Sequence, residues 1–322
     1  MRTTLLSTLC RDGIISLRSK QTIYLFSLLP SFHHLFQCKV AALDKISCSI
    51  ISFLLQIEMA LSPSAPPLSN FKLLCFDVFG TLIDEPTGVY KALQPLLSRP
   101  SPSHSDRSMR ASFELFLRLE ASIHQEVPSL QQHDVLVRIY KEMAREWGLP
   151  TPLHEEAEKF ARSMAVWLPF SDTVAALQQL STRYRLAVLS NCDRDTFARV
   201  LAGPLKDVDF DAVYLAEDIG SYKPDHRNFE YMLGRVQKDF GVKKGEVLVV
   251  AHGLGTDHVA TKELGIESAW IKRESTDEEE KGYEGRVAYK WRCNTMGAFA
   301  REAENEFGQN MTRGPRPGHI PS

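Results

Sequence analysis

Polar residues lie near the ends of several short apolar runs in this sequence. Asp77 lies near the end of the run KLLCFDVF and is followed by Thr81, while Ser190 closes the run RLAVLS. Lys223 lies in the segment GSYKPD, and Asp257 comes shortly after the run EVLVVA. Because parallel strands place their carboxyl ends at one edge of a sheet, we expect these five residues to meet there.

The chemistry that this set favours is nucleophilic catalysis by Asp77. A carboxylate can attack an electrophilic carbon or phosphorus and form a covalent intermediate. Lys223 would favour the ionised form of Asp77 and offset the charge of a bound anion. Ser190 and the backbone amides of residues 79–81 would hold that anion. Asp257 would either fix Lys223 or orient the water that hydrolyses the intermediate.

The elements that must position these residues alternate between strand-like runs and helical patterns. This alternation predicts an α/β fold with a parallel sheet. The predicted strands are 72–79, Arg185–Ser190, Ala212–Leu215, 246–251 and Glu267–Ile271. Residues 86–168 show helical patterns only, so we predict an all-helical insertion after the first strand. Asp84 and Asp193 are predicted helix caps, and Gly241 is the predicted stop of the helix after Pro224.

Length and composition exclude several classes of protein. The chain has 322 residues, of which 43% are hydrophobic, and a net charge of −2. A net charge this close to zero does not indicate a protein that binds nucleic acid. No apolar run reaches the ~18 to 20 residues that a membrane-spanning helix needs. Six scattered cysteines in so long a chain do not form a disulfide scaffold. We therefore predict a cytoplasmic enzyme for a small-molecule anionic substrate, and a homodimer is left open.

The first seventy residues differ from the rest. Residues 1–58 are rich in Arg and Ser and poor in acids, a composition found in mitochondrial transit peptides. If residues 1–58 are a genuine transit segment, the protein is predicted to be mitochondrial. The alternative is that these residues are a disordered extension and that translation starts at Met59. The predicted domains are an N-terminal extension (1–70), a core (71–85 and 169–300), a helical cap (86–168) and a disordered C-terminal tail (301–322).

The motif FDVFGTLID, with the ordered serine, lysine–proline pair and aspartate that follow it, resembles the haloacid dehalogenase superfamily. The resemblance covers residues 71 to about 299. It implies a Rossmann-like core with a cap domain inserted after the first strand. By position, it assigns the family's catalytic motifs to Asp77 as the nucleophile, Thr81, Ser190, Lys223 and Asp257.

Phe79 separates two branches of this superfamily. Family phosphatases carry there a second aspartate that protonates the leaving alkoxide, whereas a halide leaves without a proton. An earlier acid of the fourth motif falls on Gly253, so the usual Mg²⁺ site would keep only Asp77, Asp257 and the Phe79 carbonyl. FDVFGTL is similar instead to the type II (L-2-haloacid) dehalogenase branch, in which the aspartate displaces halide from the α-carbon.

Several positions depart from the dehalogenase branch. A serine and an asparagine before the last aspartate are His252 and Leu254 here, and a tyrosine after the lysine is Phe229. The cap arginine that grips the substrate falls on Leu115. Two other cap arginines could replace it, Arg110 and Arg118. The predicted substrate-binding residues are Phe79, Asn191, His252 and Phe229.

The resulting prediction is a hydrolase that dehalogenates a small 2-haloacid through an aspartyl intermediate on Asp77, with no cofactor. The first alternative is hydrolysis of another small anion, such as a phosphate monoester, with Mg²⁺ held by Asp77, Phe79 and Asp257. The second alternative is a catalytically weak protein of the same fold that binds a ligand or partner through its cap. The phosphatase alternative needs a metal, whereas the dehalogenase does not. Both enzymes need Asp77, whereas the binding protein does not.

Three weaker interpretations concern residues near the predicted site. His252 and His258 flank the fourth motif and could suggest a metal, although no full ligand set is apparent. The glycines around Leu254 resemble a dinucleotide loop but lack its third glycine. Cys75 and Cys192 are better explained as small buried residues than as second nucleophiles.

Overall fold

A computed structural model describes residues 65–100, 105–127 and 129–312, with side chains described as far as residue 308. The predicted leader, residues 1–58, lies outside the described residues, as does the end of the predicted tail, residues 313–322. The domain that contains the predicted catalytic residues is described almost throughout.

Six strands form one parallel sheet in the order β3-β2-β1-β4-β5-β6. They are β1 (Leu73–Phe76), β2 (Arg185–Ser190), β3 (Ala212–Leu215), β4 (Val247–Ala251), β5 (Glu267–Ile271) and β6 (Trp291–Cys293). All four residues of β1 are buried, because helices cover both faces of the sheet. The predicted parallel α/β fold is thus confirmed. β6 adds to the five predicted strands, since a three-residue strand with an exposed Arg292 has no apolar run to mark it.

Between β1 and β2 the chain is helical, and these helices form the cap. They are α1 (Glu85–Ala92), α2 (Gln94–Leu97), α3 (Met109–Glu126), α4 (Gln132–Glu146) and α5 (His154–Ser163). Their apolar stripes pack on one another, with the Phe160 ring centroid 5.2 Å from that of Tyr140 and 6.5 Å from that of Phe116. These aromatic residues therefore form the interior of the cap.

The chain leaves the sheet for the cap and returns from it at one place. The backbone N–H of Asp84 donates to the carbonyl of Leu168 at 2.9 Å. Ile83 and Pro169 form an isolated antiparallel bridge beside this hydrogen bond. The outgoing and returning segments are thus hydrogen-bonded to each other directly below the cap.

The remaining helices belong to the core, where α6 precedes β2 and the others come after β2 to β6. They are α6 (Thr173–Ser181), α7 (Arg194–Ala202), α8 (Ala216–Ile219), α9 (His226–Phe240), α10 (Val259–Leu264), α11 (Asp277–Gly282) and α12 (Met296–Thr312). Asp84 and Asp193 cap α1 and α7 through their side chains, and Gly241, with φ of 68°, ends α9 as predicted. Among the described residues, no helix is both long and apolar enough to cross a membrane.

Two hydrophobic clusters cover the two faces of the sheet. Leu74 and Phe76 of β1 belong to a cluster that continues into the cap, whereas Leu73 and Cys75 belong to a cluster under α9. Successive residues of a strand face opposite sides, which explains this division. Phe229 of α9 is fully buried in the second cluster. The prediction that Phe229 binds substrate is therefore wrong, and this side chain is part of the core.

Both ends of the described chain extend the core beyond its predicted limits. Leu68 is fully buried, and its carbonyl accepts a hydrogen bond from the Tyr184 hydroxyl at 3.2 Å. α12 continues through residues 301–312, which the sequence assigned to a disordered tail. Its Phe307 ring packs edge-on against Tyr184 at a centroid distance of 5.6 Å. This helical spacing of apolar residues extends past residue 300, so the predicted boundary there is too early.

Candidate active site

Asp77 follows β1 at the carboxyl edge of the sheet, and its side chain is 12% exposed. The Thr81 hydroxyl donates to Asp77 Oδ2 at 2.6 Å, and Lys223 Nζ donates to Asp77 Oδ1 at 2.8 Å. One donor on each oxygen fixes the plane of the carboxylate. Because the side chain is not closed off completely, a carboxylate oxygen remains available to a small substrate.

Lys223 is the centre of the charged cluster. Its Nζ donates to Asp77 Oδ1, to Asp257 Oδ1 at 2.7 Å and to the Leu189 carbonyl at 3.0 Å. These bonds use all three donors of an ammonium group. Burial alone would lower the pKa of Lys223, but Asp257 and Asp77 together raise it above its ordinary value. Lys223 therefore stays charged between the two carboxylates.

Asn191 fixes the backbone of Lys223. The Lys223 N–H donates to Asn191 Oδ1 at 2.7 Å, and Asn191 Nδ2 donates back to the Lys223 carbonyl at 3.1 Å. Ser190, the last residue of β2, is 3% exposed and lies between Asn191 and Leu189, which both hold Lys223. Asn191, predicted to bind substrate, is thus placed as a support of Lys223. Ser190 lies at the same edge of the sheet as Asp77.

Asp257 lies in a π-helical turn, Leu254–His258, that follows β4. Its Oδ1 accepts from Lys223, and its Oδ2 accepts from the Thr256 hydroxyl at 2.7 Å. Burial raises the pKa of Asp257 to about 6, while Lys223 opposes this shift and Asp77 adds to it. Asp257 is therefore ionised at neutral pH and loses its charge in mildly acidic solution.

Gly253 occupies the position at which family phosphatases carry an additional acid. A Cβ atom at Gly253 would lie 2.1 Å from Thr256 Oγ1 and 2.7 Å from Asp257 Oδ2. Contacts this short cannot be accommodated without displacing the Thr256 hydroxyl. Thr256 therefore fills the space of the missing carboxylate and holds Asp257 in its place.

The residues that the alternative assigns to Mg²⁺ are Asp77, Asp257 and the Phe79 carbonyl. Both carboxylates already accept the Lys223 ammonium on one oxygen and a threonine hydroxyl on the other. Mg²⁺ requires oxygen ligands in near-octahedral geometry, which an ammonium between the two acids opposes. In the described part of the chain, no group of three His, Cys, Asp or Glu side chains could hold a metal. A Mg²⁺ ion held by these residues would therefore compete with the Lys223 ammonium for both carboxylates.

Phe79 forms an aromatic wall beside the nucleophile. Its half-buried ring meets Trp167 edge to face, with the centroids 6.0 Å apart. Trp167 in turn packs on Gly88 of α1, where a Cβ would lie 2.4 Å from the indole ring. The side of Asp77 on which family phosphatases place an acid is therefore closed by apolar rings at the joint between core and cap.

His252 supports the nucleophile through its backbone. Its N–H donates to Thr81 Oγ1 at 2.8 Å, and this hydroxyl touches Asp77. His252 Nδ1 donates to the Ile271 carbonyl at 3.0 Å, which fixes the ring and leaves Nε2 as the unprotonated nitrogen. Burial lowers the pKa of His252, so the ring is neutral at neutral pH. The sequence predicts that His252 binds substrate, and the edge of its ring faces Gly80 in the loop of residues 79–81.

Arg273, which the sequence did not single out, fixes the other side of the same loop. Its Nη2 and Nε donate to the Thr81 carbonyl at 2.7 and 3.1 Å, and its Nη1 donates to Asp172 Oδ1 at 2.8 Å. The guanidinium carbon lies 3.9 Å from the Phe170 ring centroid. Arg273 adopts a φ of 51°, a strained value for a residue with a side chain. Nothing in a single sequence distinguishes such an arginine from a surface one.

The two cap arginines considered as substrate ligands lie on the surface instead. Arg110 pairs with Glu114 at 2.8 Å and Arg118 with Glu146 at 3.5 Å, and their side chains are 69% and 63% exposed. Leu115 packs against the hydrophobic core. Arg110 and Arg118 are thus exposed and paired with acids of the cap, and a contact of either one with substrate stays a prediction.

Three further side chains near the site, Cys75, Cys192 and His258, are buried. Burial raises the pKa values of Cys75 and Cys192 to about 12, which opposes a thiolate role. His258 is fully buried between the Ser268 hydroxyl and the Ala251 carbonyl. Burial lowers its pKa to about 4, and both ring nitrogens are hydrogen-bonded, so His258 is a structural residue.

Comparison with known proteins places the chain in a family. The family model for haloacid dehalogenase-like hydrolases matches residues 71–263, and the chain belongs to this family of hydrolases. None of the curated proteins matches the chain.

Solved structures of related enzymes share the fold. The L-2-haloacid dehalogenase from Xanthobacter autotrophicus is 20% identical with a TM-score of 0.58, over 73% of this chain and 98% of that one. A defluorinating L-2-haloacid dehalogenase is 19% identical with a TM-score of 0.58, over 75% and 99%. A hydrolase of the same superfamily from Bacillus subtilis, bound to magnesium, is 16% identical with a TM-score of 0.56, over 73% and 99%. Identities this low show the shared fold.

Proposed function

We propose that this hydrolase uses Asp77 as a nucleophile and releases halide from a small 2-haloacid. The observation that carries this proposal is the environment of Asp77. Lys223 and Thr81 hold its two oxygens, and Phe79 occupies the position of the phosphatase acid. A halide leaves as a stable anion, whereas an alkoxide needs a proton donor. This environment therefore favours carbon–halogen bonds over phosphate esters.

The proposed reaction has two steps. First, an oxygen of Asp77 bonds to the α-carbon and the carbon–halogen bond breaks, so that the halide leaves with the bonding electron pair. The product is an ester on Asp77. Water then attacks the carbonyl carbon of this ester, which releases a 2-hydroxy acid and restores Asp77. Asp257, ionised at neutral pH, holds Lys223 or accepts the proton of this water.

The proposed reaction proceeds without a metal ion. The Lys223 ammonium lies between Asp77 and Asp257 and supplies the positive charge that Mg²⁺ supplies in family phosphatases. The same charge favours a substrate that carries a negative group. A phosphate monoester, the alternative substrate, would need both a proton donor and a metal.

An assay with two substrates tests this proposal. Purified protein is given 2-chloropropionate or p-nitrophenyl phosphate, each with and without EDTA. We expect chloride release that EDTA does not reduce. Asp77→Asn should abolish this release, whereas Asp195→Asn, at an exposed position of α7, should not. Metal-dependent phosphate release without chloride release would refute the proposal.

Isotope labelling tests the covalent step. A single turnover in H₂¹⁸O, with enzyme in excess over substrate, is followed by mass spectrometry of the Asp77 peptide. Because water attacks the ester carbonyl, the label should enter the Asp77 carboxylate. Label found only in the 2-hydroxy acid would contradict an ester on Asp77 and indicate direct attack of water on the substrate.

A further inference from the structure

Tyr222 directly precedes Lys223 in the core, and its side chain reaches the cap. Its hydroxyl donates to the carbonyl of Leu130 at 2.9 Å, in the segment that leads into α4. The centroid of its ring lies 4.5 Å from that of His124 in α3. Burial raises the pKa of Tyr222 to about 12, so the hydroxyl keeps its proton and remains a donor. One side chain of the core thus contacts two separate segments of the cap.

The backbone that carries Tyr222 is held on both sides. Before it, the hydroxyl of Ser221 accepts a hydrogen bond from Asn228 Nδ2 at 3.1 Å, and both residues are buried. After it, the backbone N–H and the carbonyl of Lys223 are both bound by the side chain of Asn191. Because all these partners belong to the core, the Tyr222 side chain extends toward the cap from a fixed place.

The two cap segments that Tyr222 contacts are themselves joined by Gln132, the first residue of α4. Gln132 is 3% exposed, and its Nε2 donates to Glu120 Oε1 in α3 at 2.7 Å. Its Oε1 lies 3.2 Å from His124 Nε2, also in α3. Gln132 therefore ties α3 to the start of α4, two residues after Leu130. A contact that fixes His124 and Leu130 also fixes this part of the cap, which we call the cap face.

The cap face lies close to the nucleophile. Burial raises the pKa of Glu120, Gln132 opposes this shift, and the negative charge of Asp77 adds to it. Glu120 is therefore within electrostatic reach of Asp77. Tyr222 contacts the same cap face from the position next to Lys223, whose ammonium binds Asp77. The cap face thus borders the space in which Asp77 would meet a substrate.

We propose that Tyr222 is a positioning residue, which fixes the cap face beside Asp77 by binding it to the backbone segment of Lys223. This inference rests on the proposed function. The hydrogen bond between Asp84 and Leu168 attaches the cap in the segment after β1, whereas Tyr222 attaches it in the segment after β3. A second attachment restrains rotation of the cap about the first. The substrate then meets a preformed wall, and its apparent affinity is not reduced by molecules in which this wall is displaced.

Two matched variants test the inference. Tyr222→Phe keeps the ring and its contact with His124, and it removes only the hydroxyl that donates to Leu130. Tyr231→Phe removes a hydroxyl from a residue of α9 that is 40% exposed, and it serves as the control. Chloride release from 2-chloropropionate is measured over a range of substrate concentrations for both variants and for the wild type.

The inference predicts a change in KM rather than in kcat. We expect KM of Tyr222→Phe to rise about two- to tenfold, which is the range expected for the loss of one hydrogen bond between neutral groups. The value of kcat should change far less, because the side-chain donors to Asp77 are Lys223 and Thr81, which this variant leaves in place. The control should change neither constant.

The outcomes separate this inference from the proposed function. A fall in kcat without a rise in KM would overturn the inference, because Tyr222 would then act on Lys223 and not on the cap. Unchanged constants would overturn it as well. Both results leave the proposed function intact, since they require a wild-type protein that releases chloride. A wild-type protein that releases no halide would instead refute the proposed function.

Hydrogen exchange tests the attachment independently of any activity. In Tyr222→Phe, the amides near His124 and Leu130 should exchange about two- to tenfold faster than in the wild type, because one hydrogen bond that opposes local opening is lost. The amides of β1 and β4 should exchange at the wild-type rate. Unchanged exchange in the cap face would overturn the inference whatever the kinetics. Equal acceleration in the sheet would indicate a general loss of stability and would also overturn it.

Discussion

The sharpest prediction concerns the ammonium between two carboxylates. Lys223→Met keeps much of the side-chain volume but removes a charge whose side chain is 2% exposed. Asp257, also 2% exposed, would then remain buried with only the Thr256 hydroxyl as its donor. Breaking a buried ion pair by removing one partner costs about 3–5 kcal/mol. We therefore expect the free energy of unfolding to fall by about this amount in mildly alkaline solution.

The loss of stability in Lys223→Met should be larger at high pH than at low pH. Burial raises the pKa of Asp257 to about 6 with Lys223 present, and without its lysine this pKa lies higher still. An acid whose pKa is raised in the folded state stabilises the fold while it is protonated, and this stability is lost as the pH rises through the folded pKa. Lys223→Met should therefore be less destabilised at about pH 5 than at about pH 8.

Denaturant unfolding at these two pH values measures the effect, with Lys238→Met, at an exposed position of α9, as the control. Adding Asp257→Asn to Lys223→Met removes the unpaired charge and should recover part of the lost stability at about pH 8. A loss below about 1 kcal/mol, or one that is equal at both pH values, would refute the view that a buried charged cluster stabilises this edge of the sheet.

Four further predictions concern this cluster and the residues that support it. Arg273→Gln should lower kcat for halide release about tenfold with a smaller change in KM, because Thr81 loses the hydrogen bonds to its carbonyl; equal changes in both constants would indicate a role in substrate binding. Gly253→Ala should lower the free energy of unfolding by about 1–3 kcal/mol in denaturant titrations, because its Cβ displaces Thr256, and unchanged stability would contradict the contact. The rate of halide release should fall as the pH drops through about 6, where Asp257 becomes protonated. Thr256→Val removes a donor that lowers this pKa, so the acid limb of the pH profile should move upward.

The convergence of the main charged residues follows from the sequence because it depends on topology. Parallel strands end at one edge, so residues that follow them meet wherever the strand order brings those ends together. Asp77 follows the central strand β1, and Asp257 follows its neighbour β4. Lys223 reaches the same edge through the loop before α9. The sequence therefore predicts that Asp77, Lys223 and Asp257 lie at the same edge of the sheet. It does not predict the distances between them.

The predictions that the structure contradicts also have local causes. Phe229 lies on the same helical face as Met232 and Val236, and this spacing predicts burial better than the family position predicted contact with substrate. Arg273 acts through contacts between segments far apart in the chain, which no periodicity encodes. In the sequence, an arginine after a strand indicates a surface residue.

The hydrogen-bonded joint below the cap brings the two ends of the inserted helices together. Because the Asp84 N–H donates to the Leu168 carbonyl there, the chain leaves and re-enters the core at one place, as it does at the turn of a β-hairpin. The hydrogen bonds that other residues make to Asp77 and Thr81 come from Lys223, His252 and Arg273, which all belong to the core. A change in the length of the cap helices therefore need not alter the position of Asp77.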